Sequence, residues 1–289
     1  MTVAANSPGA GTPTGAITWT NLFGCTTSTL SGGSASCTTS TEPAGTNSIT
    51  AAYSGDTNDS ASTSTSYTQT VEDATAATVV TSGTNPSVYG QSVTFTATIS
   101  GQYGLVKKVK LGAYSNAVSG TVAWSANTGC GTTPVTVNPG APSTASCITS
   151  TLPQGTDIIT ATYSGDSNHS GGTGTLSGGQ IVNLALTTID VTSVSPASEM
   201  FGQDAPATIT AVLAWSVGGA TPTGAVTIGG TATGGTYSAT SCGAASGNSI
   251  TCTATFTPGT STAAGTYTMS ASIAADSNYS CLLYTSRCV

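Results

Sequence analysis

The sequence predicts an all-β protein made of antiparallel sandwiches in tandem, and three observations carry that reading. Thr, Ser and Gly dominate a chain in which only 5% of residues are charged. Thr and Val suit a pleated sheet, whereas the strong helix formers Leu, Glu, Lys and Arg are scarce. Apolar and hydroxyl residues alternate along several short runs, the period of a strand with one buried face. Finally, a long motif returns at a constant interval of 110 residues, the size of a seven-stranded sandwich.

The repeating motif is GTNSITAAYSGDTN from Gly45, GTDIITATYSGDSN from Gly155 and GTYTMSASIAADSN from Gly265. GAITW at Gly15, GTVAW at Gly120 and GAVTI at Gly224 form a second matching set, and VYGQSVTFTATIS from Val88 pairs with MFGQDAPATITAVLA from Met200. Strands follow from the alternation. Val93, Phe95, Ala97 and Ile99 face one way and Thr94, Thr96 and Thr98 the other. Val122 with Trp124, and Ile159 with Ala161 and Tyr163, form further inward faces. Gly and Pro punctuation such as LPQGT at 152–156 marks chain reversals between them.

These residues resemble the Ig-like repeat domains of large bacterial secreted and cell-surface proteins, whose pattern runs P-T-G-x-V-T and then L-P-x-G-T-x-x-I-T-A-x-Y-S-G-D-x-N. The resemblance covers residues 1–280 and is weaker in the third repeat, where Ala274 and Ala275 replace Ser-Gly. It implies tandem immunoglobulin-like antiparallel β-sandwiches that act as structural or adhesive modules without catalysis. The expected units are 1–75, lacking the first strands; 76–188, complete; and 189–280, lacking the last strand. Residues 281–289, CLLYTSRCV, resemble the translated transposon end used in sequencing-library preparation and are set aside with Cys281 and Cys288.

Composition removes whole function classes. A net charge of -7 argues against nucleic acid, because binding to phosphate backbones needs clustered Lys and Arg. No apolar run is long enough for a transmembrane helix, so no membrane insertion is expected of this segment. No cofactor is expected either.

Six cysteines remain, two per repeat: Cys25 with Cys37, Cys130 with Cys147, and Cys242 with Cys252. One pair per repeat makes intradomain bridges the economical reading; two cysteines without a neighbouring His cannot complete a zinc tetrahedron. Disulfides imply an oxidising, extracellular address. Asp56 with Asn58, Asp166 with Asn168, and Asp276 with Asn278 recur in one loop. They are weak calcium candidates, since calcium takes six to eight oxygens and each loop shows two or three; the competing reading is a turn in which the side chains bond their own backbone. The same loops contain formal N-x-S glycosylation acceptors.

His169 is the only histidine and has no evident catalytic partner, which predicts a solvated loop residue and no enzyme site. Trp19 and Trp124 fall at the same inward strand position and are expected in the core, and Trp215 continues an inward face. The segment 100–120 departs from the repeat and holds every lysine. Tyr103, Lys107, Lys108, Lys110 and Tyr114 there make a possible ligand loop for a carbohydrate or an acidic partner, against the alternative of ordinary loop variation. The function expected is a non-catalytic spacer or adhesion module, with neighbouring repeats as partners and cell-surface glycans or proteins as candidate ligands. The alternatives are a carbohydrate-binding module, or an accessory region of a secreted hydrolase whose catalytic domain lies elsewhere.

Overall fold

In the middle of the chain, the alternating run predicted around Phe95 becomes the central strand of a three-stranded antiparallel sheet. Val93–Gly101 lies between Ala76–Ser82 and Ser143–Thr149. Val93, Phe95, Ala97 and Ile99 are all buried, and the threonines between them are not. A second sheet faces it, in the order Thr132–Pro134, Thr121–Trp124, Thr160–Tyr163 and Gly172–Thr175. Its inward residues Val122, Trp124, Ala161 and Tyr163 join Phe95, Ile99 and Ile159 in one hydrophobic cluster. Two antiparallel sheets that share a core of this kind are a β-sandwich. This is a computed structural model, and it describes residues 1–102, 106–107, 114–115, 117–138, 141–198, 200, 205–216 and 218–280.

A small three-stranded sheet closes one side of that sandwich. Gln180–Asn183 is sandwiched between Gly155–Asp157, antiparallel, and Ser87–Val88, parallel. Gln180 is fully buried there. Its Oε1 accepts from Ser82 Oγ at 2.6 Å, and its Nε2 donates to the Thr84 carbonyl at 2.9 Å and to Ser87 Oγ at 3.1 Å. An amide this deep is tolerated because each polar atom has partners.

The last part of the chain repeats this plan. Ala207–Trp215 lies between Ala185–Ser195 and Ser249–Thr257, and Val226–Gly230 pairs with Met269–Ile273 across the core. Ile209, Leu213, Trp215, Phe256 and Ile273 are among its buried residues. One irregularity, at Thr192, shifts the register of the long first strand between Val191 and Ser193. In the first part, Ala16–Thr20 is flanked by Thr27–Thr29 and Gly45–Tyr53. The start of Gly45–Tyr53 pairs with Tyr67–Val71 and its end with Ser62–Thr63. The cluster here is smaller: Ile17, Leu30, Ala35, Ala51 and Tyr53.

Candidate functional site

The motif Tyr-Ser-Gly-Asp builds the same loop wherever it stands, and the structure shows what each residue does. Ser164 Oγ accepts the Thr121 N–H at 3.1 Å and donates to the Gly165 carbonyl at 2.9 Å. This covers a backbone donor at the start of strand Thr121–Trp124. Gly165 has φ +81 and its missing Cβ would lie 2.9 Å from the His169 carbonyl, so this turn needs glycine twice over. Ser54 repeats the arrangement with Ala16 N and the Gly55 carbonyl.

The aspartate then closes the loop on two sides. One oxygen of Asp166 accepts the backbone N–H groups of Asn168 at 2.9 Å and His169 at 3.0 Å, the Asx-type turn. The other accepts the Ser119 N–H at 2.8 Å and the Ser119 hydroxyl at 3.3 Å. Asp56 makes the same four bonds with Asn58, Asp59 and Thr14. Asp276 makes them with Asn278, Tyr279 and Thr223. The hydroxyl residue that receives the second oxygen was not singled out in the sequence. Its signal is present, however: Thr14, Ser119 and Thr223 each stand immediately before a glycine of the second repeated set.

These bonds favour the ionised carboxylate. The Thr14 N–H, followed by those of Asn58 and Asp59, holds Asp56 well below the ordinary carboxylate range. Burial opposes ionisation of Asp166, but the Ser119 and Asn168 N–H groups and the His169 ring outweigh it and set the pKa at about 2. Asp276 is lowered in the same way against the same opposing burial. Both carboxylate oxygens of Asp56, Asp166 and Asp276 are thus engaged by N–H and O–H donors. Among the described residues, no group of three or more His, Cys, Asp or Glu side chains is placed to hold a metal.

His169 departs from the expectation of a solvated residue. Its side chain is 3% exposed, and Nδ1 lies 2.9 Å from Asp166 Oδ1. Its ring packs against Gly101, where a Cβ would lie 2.9 Å from Nε2, and its backbone forms a parallel bridge with Ala74 of the chain that leads into this sandwich. The Ala74 N–H donates to the Asn168 carbonyl at 2.9 Å, and the Ser170 N–H donates back to the Ala74 carbonyl. Asn168 also reaches the preceding segment, where its Oδ1 accepts the Ala44 N–H at 3.2 Å.

The next junction is built alike. Ala185 pairs in parallel with Tyr279, and its N–H donates to the Asn278 carbonyl at 2.9 Å. Tyr279 occupies the place of His169. Its hydroxyl donates to the Ala220 carbonyl at 2.6 Å, and its ring meets Tyr89 edge-on with centroids 5.6 Å apart. Burial first, then Tyr89 and the Asp276 charge, push the Tyr279 hydroxyl up to about 12. The Gly90 and Gly218 backbones approach so closely here that a Cβ on Gly218 would sit 2.3 Å from the Gly90 carbonyl oxygen.

The other sequence candidates are placed as follows. Cys25–Cys37, Cys130–Cys147 and Cys242–Cys252 are disulfides. Trp124 and Trp215 are buried, and Trp19 is half-buried against the smaller first cluster. Trp124 Nε1 donates to Thr133 Oγ1 and Trp19 Nε1 to Ser28 Oγ, so both indoles have a cross-strand hydroxyl partner. Of the possible ligand loop, Tyr103, Lys108 and Lys110 lie outside the described residues. Lys107 and Tyr114 are described as backbone partners in a short antiparallel pair, Val106–Lys107 with Tyr114–Ser115. No described helix is long and apolar enough to cross a membrane.

No curated protein matches the chain. Residues 1–72 match the family model for the bacterial Ig-like domain, group 3, so the first part of the chain is similar to that family.

Proposed function

We propose that this chain is a non-catalytic extracellular spacer, a stack of Ig-like units spanning 1–75, 76–188 and 189–280, belonging to a bacterial surface or secreted protein. The observation that carries the reading is the construction of the junctions. Ala74 and Ala185, 111 residues apart in sequence, each enter a sandwich by bonding to its Asp-x-Asn loop, through the carbonyls of Asn168 and Asn278. The loop that resembles a calcium or catalytic site is therefore a mechanical fitting. Its carboxylate ties the turn to Ser119, just ahead of strand Thr121–Trp124, and its backbone binds the incoming chain.

Three disulfides support the extracellular part of the reading, because such bridges persist in oxidising compartments. The low charge, 5% of residues, suits the spacer part of the reading, which calls for no charged ligand. Docked linkers suit a spacer because a fixed angle at each junction sets the distance between whatever lies at the two ends. Small-angle scattering of the chain tests this. A single elongated shape, unchanged between low and high salt, is the expected result; a compact shape or a broad average over many interdomain angles would contradict it.

A further inference from the structure

The hydrogen bonds that satisfy Gln180 also bring a nucleophile to its amide. Ser82 ends the strand Ala76–Ser82 and Gln180 begins the strand Gln180–Asn183. The two are 98 residues apart in sequence, and Ser82 Oγ lies 2.6 Å from the amide oxygen and 3.0 Å from the Thr84 carbonyl. The electrophilic carbon of the amide is one bond beyond that oxygen. The amide nitrogen is fixed as well, donating to the Thr84 carbonyl at 2.9 Å and to Ser87 Oγ at 3.1 Å.

A carboxylate completes the group. Asp157 is the register partner of Gln180, and both point inward while Thr156 and Ile181 point outward. Side chains directly opposite in an antiparallel pair have Cβ atoms about 5 Å apart. Asp157 is 9% exposed; its Oδ1 accepts from Asn127 Nδ2 at 3.3 Å, and its Oδ2 is buried with no hydrogen-bond partner among the described residues. A buried carboxylate oxygen without a donor is costly. The amide beside it is already satisfied by Ser82, Thr84 and Ser87, so packing alone gives no account of an aspartate at this position.

We propose that Ser82, Gln180 and Asp157 form a self-modifying site that joins two strands of the middle sandwich by an ester. Ser82 Oγ attacks the side-chain carbonyl carbon of Gln180; the O–C bond forms and the C–N bond breaks. Asp157 takes the hydroxyl proton and returns it to the departing nitrogen, which leaves as ammonia. Nothing is oxidised or reduced, and no co-reactant is consumed. Positioning of the reacting groups by the fold supplies the rate, and the exclusion of water from the fully buried Gln180 preserves the ester once formed. Tension that enters at Ala76 and leaves at Asn183 then passes through a covalent bond between their two strands.

The intact mass of the whole, unaltered chain, followed during incubation at neutral pH, tests the step without relying on any variant. A mass lower by one ammonia is expected. Digestion should then yield the peptide containing Ser82 joined to the peptide containing Gln180, and hydroxylamine should separate them. Full mass after prolonged incubation would overturn the proposal, as would an ammonia loss that maps to an asparagine instead of to this pair. Ser82→Ala should keep the full mass. Asp157→Asn should fold, as its circular dichroism will show, yet form the link at least tenfold more slowly; a folded Asp157→Asn chain that links at the unaltered rate would remove the carboxylate from the site and overturn the mechanism.

Discussion

Asp166 and Ser119, 47 residues apart, are joined twice at one carboxylate oxygen, through the Ser119 N–H at 2.8 Å and its hydroxyl at 3.3 Å. The other oxygen secures the turn to His169, so one side chain fixes a loop to the start of a strand. Replacing it removes an acceptor from donors that stay in place. Asp166→Ala is expected to destabilise the middle sandwich by roughly 1.5–3 kcal/mol, the range for hydrogen bonds to a charged group. Asp166→Asn should cost less, since one oxygen remains an acceptor. Adding calcium to the unaltered protein should leave the thermal midpoint where it was; a clear rise would return these loops to metal binding.

The same bonds set an acid limit. Asp166 titrates at about 2 in the folded chain against an ordinary 3.8, and Asp56 and Asp276 are lowered in the same direction. A lowered carboxylate favours the folded state once the unfolded chain has ionised too, and that contribution fades as protons bind the folded form. Stability of the middle sandwich from this group should be complete above about pH 5 and decline as pH falls from 3.8 towards 2. Thermal midpoints measured between pH 6 and 2 check the direction, and Asp166→Asn should flatten part of the fall. The His169 ring is one of the groups that lower the Asp166 carboxyl, so His169→Gln is the second protein to compare.

Gly120 and Gly129 separate two uses of glycine. Both have positive φ, +104 and +70, but a Cβ on Gly120 would lie 2.7 Å from the Gly165 carbonyl oxygen, and one on Gly129 meets nothing within 4 Å. Gly129→Ala should cost only the left-handed backbone term, about 1–2 kcal/mol. Gly120→Ala adds a clash at the Asp166 loop and should cost distinctly more. Denaturant midpoints of the two variants decide it, and equal losses would mean that the loop yields.

Cys130 and Cys147 close a loop with a sequence separation of 17. Closing a loop of about this size stabilises by about 3 kcal/mol in the chain-entropy account. Reduction should therefore lower the midpoint without abolishing the sandwich, whose core is built on Phe95, Ile99 and Ile159. Mass spectrometry under non-reducing conditions should find this pair linked, and free thiols there would remove the main support for an extracellular address.

Much of this architecture was legible from residue order alone. Alternation identified the inward face of Val93–Gly101, and Val122 with Trp124, because a half-buried strand leaves a period-two signature. What could not be read is whatever depends on a neighbour distant in sequence. His169 looks like a loop residue, and it is buried with its ring against Gly101, 68 residues earlier. Residues 172–186 contribute to three sheets, through Gly172–Thr175, Gln180–Asn183 and the start of Ala185–Ser195. A turn at Ser177 and Gly178 separates the first two pieces, and Leu184 alone separates the second from the third. Ile158 and Ile159 are adjacent isoleucines of which one is 69% exposed and the other fully buried, and here the alternation with Ala161 and Tyr163 does mark Ile159 as the inward one.

The docked junctions are the centre of the functional reading, and amide hydrogen exchange at Ala74 and Ala185 tests them most directly. Each N–H donates at 2.9 Å to an asparagine carbonyl of the sandwich it enters. Both amides should exchange only with unfolding of that sandwich, and at its rate. Exchange at the speed of an unstructured peptide at either position, with the core amides still protected, would contradict fixed junctions and leave a string of independent units.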